Sequence, residues 1–334
     1  ATMASPMMEG VNQGLSDAVQ DGKLLLALFT HGPLNGTTPT VHSDLSSVKD
    51  LTNLCVYMLV MATIIVIGRM LVLSPLATLL GFKKGTEAHT KCVMASTELV
   101  FYTWSSATAY LWYMHSGLHS WVYPSNYADM YEGADGSGEL ENPGIMRLTY
   151  FIELAWYLVN VCLLLVDARR ADFWPMFIHH VVTIFLVSIS WCAGFARSGV
   201  VIILLHNVTD VFLNLSKILN YVKTVLDVPV FFAFALSFAY CRLYLFPQCI
   251  LVQYRNVTRI TATGTPVLGD FLCWAASILV VLHVYWFMLV LRMIKHFLVD
   301  PQGLREAGDI REDSDSDDTA AKDGSKAKKE SKKD

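Results

Sequence analysis

Long apolar runs constrain this chain more than any other feature. Segments 54–73, 95–114, 147–166, 173–192, 199–221, 228–252 and 270–292 each offer about 20 mostly apolar residues, the length a helix needs to cross a hydrocarbon core of about 30 Å. In lipid, backbone N–H and C=O groups must be satisfied within the protein, so such runs fold as helices. The expected fold class is all-α: a polytopic membrane protein of about seven transmembrane helices in one bundle. His206, Asn207, Asp210 and Lys217 interrupt the fifth run. No soluble domain of useful size fits between the segments. Only 16% of residues are charged, against about 25% in a soluble domain. Charge is nearly absent from the middle of the chain and dense from Asp309 to Asp334, so the net charge of −4 gives no reason to expect nucleic acid as a partner. Seven Cys are scattered without C-x-x-C spacing, and no metal site is expected from them.

Basic residues set the expected orientation. With the N-terminus outside, the short inner loops collect Lys83, Lys84, Lys91, Arg169, Arg170, Lys223, Arg292 and Lys295, and the outer loops hold fewer. Lys and Arg favour the cytosolic side, which predicts N-out, C-in. Asn35-Gly36-Thr37 is then a glycosylation acceptor on the lumenal side. No cleavable signal peptide is expected, because His31-Gly32-Pro33 cuts short the apolar stretch before it. The organisation expected is a lumenal segment 1–53, a first helix and cytosolic loop 54–92, a domain of six helices 93–300, and a disordered tail 301–334. In that tail, Ser314 and Ser316 precede acidic residues, the pattern of an acid-directed phosphorylation site.

Ionisable groups in a bilayer cost about 2.5–3.5 kcal/mol each at the helix centre on insertion scales and mark cavities or function. Here they gather on two successive segments. Asp172, Met176, His179, His180 and Thr183 are spaced by four, three, one and three residues, which at 3.6 residues per turn forms one stripe. His206, Asp210, Leu213, Lys217 and Tyr221 form a second. The two helices run antiparallel, so the stripes are expected to face each other across a cavity, with His179, His180, His206 and Asp210 near mid-membrane. Lys217, Arg169 and Arg170 would lie nearer the cytosol. Such a site suits acyl transfer. A neutral imidazole can take a proton from an attacking amine or itself attack a thioester. A buried Asp can hold a His tautomer, and Lys or Arg can meet the phosphates of a nucleotide-linked acyl donor.

The run Asp172-x3-Met176-x2-His179-His180-x2-Thr183-x2-Leu186-x3-Ser190-x6-Arg197-x-Gly199-x6-His206-Asn207-x2-Asp210-x2-Leu213-x3-Lys217-x3-Tyr221 resembles the long signature motif of ceramide synthases, within the TLC-domain superfamily. The likeness extends upstream through Glu153-Leu154-Ala155-Trp156-Tyr157 and downstream through Arg242-Leu243-x2-Phe246-Pro247, covering roughly residues 90–300. It implies transfer of a fatty acyl group from acyl-CoA to the amine of a sphingoid base, in the endoplasmic reticulum membrane. Acyl-CoA enters as a substrate and no cofactor is implied; the choice between homo- and heterodimer stays open. Carried onto this chain, the catalytic residues are His179, His180, His206 and Asp210. The substrate-binding residues are Asp172, Met176, Thr183, Arg197, Asn207, Lys217 and Tyr221, with Arg169 and Arg170. The family usually has His-Asp where this chain has His206-Asn207; Asn keeps the shape and hydrogen-bonding capacity but loses the charge.

Two other readings compete. A di-iron lipid hydroxylase also places His in membranes, but it needs more ligands, in H-x3-H and H-x2-H-H spacings, than His179, His180, His206 and His283 supply. A non-catalytic TLC-domain lipid sensor would share the fold, and Asn207 is the residue that keeps this reading in view.

Overall fold

The computed structural model of the chain describes residues 48–115, 143–166, 172–192, 195–260 and 266–299. These residues are almost entirely helical, with no strand among them. In chain order they are α1 (Val48–Gly68), α2 (Ser74–Leu79), α3 (Glu87–His115), α4 (Pro143–Val166), α5 (Phe173–Cys192), α6 (Ala196–Tyr221), α7 (Asp227–Phe238), α8 (Phe246–Ile260) and α9 (Pro266–Val299).

Two spans are interrupted by π-helical turns, and a proline explains each. Arg69–Leu73 joins α1 to α2 ahead of Pro75, and Ala239–Leu245 joins α7 to α8 ahead of Pro247. A proline has no N–H for the carbonyl four residues back. Those carbonyls belong to Leu71 and Leu243, inside the two π turns. The ladder therefore slips by one residue, and each slip re-aims an arginine, Arg69 in one turn and Arg242 in the other.

Polarity is reversed relative to a soluble bundle. α1 presents Leu59 and Ile64 outward, the π turn after it Met70 and Leu71, and α9 Trp274, Val281 and Met288. Glu153, Asn207, Thr108 and His283 are buried inside. That is the arrangement of a chain surrounded by lipid, in which polar side chains join helices to one another. The protein is a multi-pass membrane protein.

Among the described residues, six helical stretches are long and apolar enough to cross a bilayer: 54–79, 146–165, 173–191, 196–221, 227–255 and 270–299. The expected segment 95–114 is not one of them. It is helical, within α3, and the 29 residues of α3 span about 43 Å. Thr97, Glu98, Ser105, Ser106 and Thr108 hold its hydropathy down, and Thr97, Ser105, Ser106 and Thr108 are buried. α3 therefore faces protein rather than lipid, packing closely along α6.

That pairing corrects one expectation. α5 and α6 follow each other in the chain, but α6 packs chiefly on α3 and α7, and α5 on α4 and α9. The two polar stripes do line one cavity, as expected, but they stand on helices that are not each other's main packing partners. At the turn itself, Gly199 permits a close approach: a Cβ there would stand 1.6 Å from the Tyr150 hydroxyl. That hydroxyl donates to the Ala196 carbonyl at 3.2 Å and lies 3.2 Å from Ser190 Oγ. The turn is thus pinned to α4.

Candidate functional site

A cavity of about 680 Å³ opens among α3, α4, α5, α6, α7 and α9. Met176, His179 and His180 of α5 line it together with Asp210, Leu213, Lys217 and Tyr221 of α6. Helical spacing accounts for this convergence, since positions three and four apart share a face. The cavity runs from one end of the bundle, where Lys84 precedes α3 and Asp227 opens α7, to the mid-helix level of the His pair. Phe231, Phe234, Phe238, Leu289 and Val290 supply an apolar wall.

The histidines are held in defined states. His180 Nδ1 lies 2.8 Å from the Met176 carbonyl. A carbonyl can only accept, so Nδ1 carries the proton and Nε2 keeps its lone pair. His206 repeats the device, with Nδ1 2.7 Å from the Ile202 carbonyl. The ring of His179 stands edge-on to His180 and to Trp286, with centroids 5.6 and 5.3 Å away. Tyr157 packs against both histidines, at 6.0 and 5.5 Å.

Asp210 is paired with a residue to which the sequence alone assigns no role. Its Oδ2 lies 2.6 Å from Arg242 Nη2, and the same nitrogen donates to the His206 carbonyl at 2.9 Å. Arg242 comes from the π turn before Pro247 and stands over the Phe238 ring, 5.0 Å from its centroid. The Asp210 charge is thereby matched inside the bundle, next to the His pair.

Asn207 faces away from the large cavity. Its Nδ2 donates to Glu153 Oε1 and to Ser105 Oγ, the latter at 2.9 Å, and Ser105 also donates to Glu153 Oε1. The three buried side chains tie α3, α4 and α6 together. Glu153 and Asn207, with His206 and Thr183, border a second, smaller cavity of about 70 Å³, and His179 lines both cavities. His283 of α9, fully buried, packs its ring 4.9 Å from that of His206.

Not every expected residue joins the site. Asp172 is buried at the start of α5, its carbonyl accepting from Met176 N at 3.0 Å, and it is not among the described residues lining either cavity. Arg197 begins α6, at the opposite end of that helix from Lys217, and also lines neither. Arg169, Arg170, Asn35, Ser314 and Ser316 lie outside the described residues. The signal for Glu153 and Arg242 is present in the sequence: Arg242 is the lone charge of its apolar run and Glu153 the lone acid of its own, the pattern that marks function in a membrane.

Comparison with known proteins bears on this geometry directly. The family profile described as TLC domain matches residues 91–292, more than half of the chain. Ceramide synthase 4 of Mus musculus is 34% identical over 183 residues, covering 54% of this chain and 46% of that protein. Ceramide synthase LOH2 of Arabidopsis thaliana is 36% identical over 182 residues, covering 52% of this chain and 60% of its own length. Sphingosine N-acyltransferase LAG1 of Saccharomyces cerevisiae is 29% identical over 204 residues, covering 57% and 48% respectively. The matched part thus spans about half the length of these curated relatives. The matched region contains both histidine stripes, Glu153, Arg242 and most of the residues that line the large cavity, and the chain belongs to the TLC-domain family.

Proposed function

We propose that this chain is a ceramide synthase, transferring a fatty acyl group from acyl-CoA to the amine of a sphingoid base in the endoplasmic reticulum membrane. One observation carries the reading: a His pair and a matched Asp210–Arg242 pair line a long cavity with an apolar wall, and Lys84 and Lys217 line the same cavity. The cationic side chains suit the phosphates of CoA, and the apolar wall suits the acyl chain. The names of the relatives support the same chemistry.

In this reading the thioester carbonyl reaches the His pair while the CoA head stays at the cytosolic end. His180, with Nδ1–H committed to the Met176 carbonyl, offers Nε2 as base or nucleophile. An imidazole that attacks the thioester releases CoA and holds the acyl group for the amine, so both large substrates need not be bound at once. The termini are N-lumenal and C-cytosolic, with α3 as the seventh crossing. No cofactor takes part, and acyl-CoA is a substrate.

The test is acylation in membranes from cells lacking ceramide synthase, with a panel of acyl-CoAs and sphinganine. (Dihydro)ceramide formed only with the expressed chain supports the proposal. None with any donor, from well-expressed protein, overturns it. Acyl-CoA added without the base separates the two routes. CoA released in an amount close to the enzyme present marks an acyl-imidazole; its absence under normal turnover marks direct attack by the amine.

A further inference from the structure

Five buried side-chain atoms around the small cavity make no hydrogen bond among the described residues: Glu153 Oε2, His179 Nδ1, Thr183 Oγ1, His206 Nε2 and Gln253 Nε2. All five residues line that one cavity of about 70 Å³. A buried polar group left without a partner costs about 1–3 kcal/mol, so five around one small space call for a polar occupant. The main cavity already accounts for the acyl donor. Its neighbour shares only Tyr157 and His179 with it, and so meets the reacting centre from another side.

Resting on the acyltransferase reading, we infer that this second cavity is the head-group subsite for the acceptor: a primary amine flanked by hydroxyls on an alkyl chain. Glu153 supplies the charge. Ser105 and Asn207 both donate to its Oε1, which leaves Oε2, without a partner among the described residues, to face an ammonium. With Asn at 207, one carboxylate stands here without a second beside it. His206 Nε2 is an acceptor by its tautomer, since Nδ1–H is committed to the Ile202 carbonyl. Thr183 Oγ1 and the Gln253 amide suit hydroxyls, which both donate and accept. At about 10–15 Å³ per water-sized group, the space suits an amino-alcohol head and no larger polar group. Leu186, Ile202, Leu272 and Leu279 complete the lining and match the start of an alkyl chain.

Equilibrium binding of sphinganine to the purified chain in nanodiscs, without acyl-CoA, tests the subsite independently of turnover. Wild type should bind sphinganine and discriminate against N-acetylsphinganine, which keeps the hydroxyls but has no ammonium. Glu153→Gln, which keeps the shape and removes the charge, should weaken sphinganine at least tenfold. In turnover, the KM for sphinganine should rise in that variant while the KM for acyl-CoA does not. Because Glu153 also joins three helices, Gln253→Leu and Thr183→Val provide a second measure if Glu153→Gln melts early; each should weaken sphinganine more than 1-deoxysphinganine, which lacks one hydroxyl. Equal binding of sphinganine by wild type and all folded variants overturns the subsite, as does wild type that binds the N-acetyl compound equally well. Loss of the subsite with ceramide still formed leaves the acyltransferase reading standing. Normal amine binding with no acyl transfer from any donor overturns that reading instead.

Discussion

At the scale of single residues, charge matching inside the bundle is the feature with the largest consequences. Asp210 and Arg242 neutralise each other at 2.6 Å, with side-chain exposures of 14% and 8%. Removing one partner of a buried pair leaves an uncompensated charge and costs about 3–5 kcal/mol. Asp210→Asn and Arg242→Gln should each lower the melting temperature in detergent and reduce acylation, and the double variant should recover part of the stability. Strict additivity in this cycle would contradict the pairing. Asn207→Asp is the complementary test. It sets a second carboxylate against Glu153, and the two must then hold a proton between them. The rate should change by no more than about tenfold, the worth of one hydrogen bond. A dead wild type revived by Asn207→Asp would mean that the carboxylate is required at that position. The two stripes are legible in the sequence because their spacing fixes them on one helix face each. The pairings of Asn207 with Glu153 and of Arg242 with His206 are not. They join positions 54 and 36 residues apart, and no local periodicity encodes which distant helix lies opposite.

At the scale of elements, the chain's prolines and one glycine decide how the helices meet. The π turn before Pro247 sets the phase of Arg242, since each residue of slip rotates a side chain by about 100°. Gly199 sets the distance between α4 and the α5–α6 turn. Gly199→Ala drives a methyl into the Tyr150 hydroxyl, 1.6 Å from the ideal Cβ, and overpacking of this kind costs about 1–3 kcal/mol. A clearly lowered melting temperature is expected; an unchanged one would contradict the close packing of this corner. Helix positions were legible from apolar run length, the expected 173–192 and 228–252 lying close to the observed 173–191 and 227–255. The neighbour relations were not. Short connections suggest that consecutive helices pack together, yet α6 lies mainly on α3, whose buried hydroxyls and Glu98 mark it as an interior helix.

At the scale of the whole molecule, orientation depends on α3. The six apolar stretches among the described residues would alone return the chain to the side from which it started; on the proposed topology, α3 as a seventh crossing separates the termini. Lumenal glycosylation at Asn35 together with a protease-accessible C-terminal tail in sealed microsomes is the expected result. A glycosidase-sensitive shift lost in Asn35→Gln would establish the first half, and a protected tail would refute the second. On the proposed topology, the mouth of the large cavity meets the cytosol, where acyl-CoA would be supplied, and the His pair lies within the membrane, where a lipid amine would reside. The most direct measurement of this account is turnover by the purified chain in nanodiscs, with labelled acyl-CoA and sphinganine, for wild type, His179→Ala and His180→Ala. Wild type should form labelled dihydroceramide. Each variant should lose about 10²- to 10⁴-fold, the worth of a positioned acid–base group, while melting close to wild type. Variants that fold and turn over as wild type does would contradict the account.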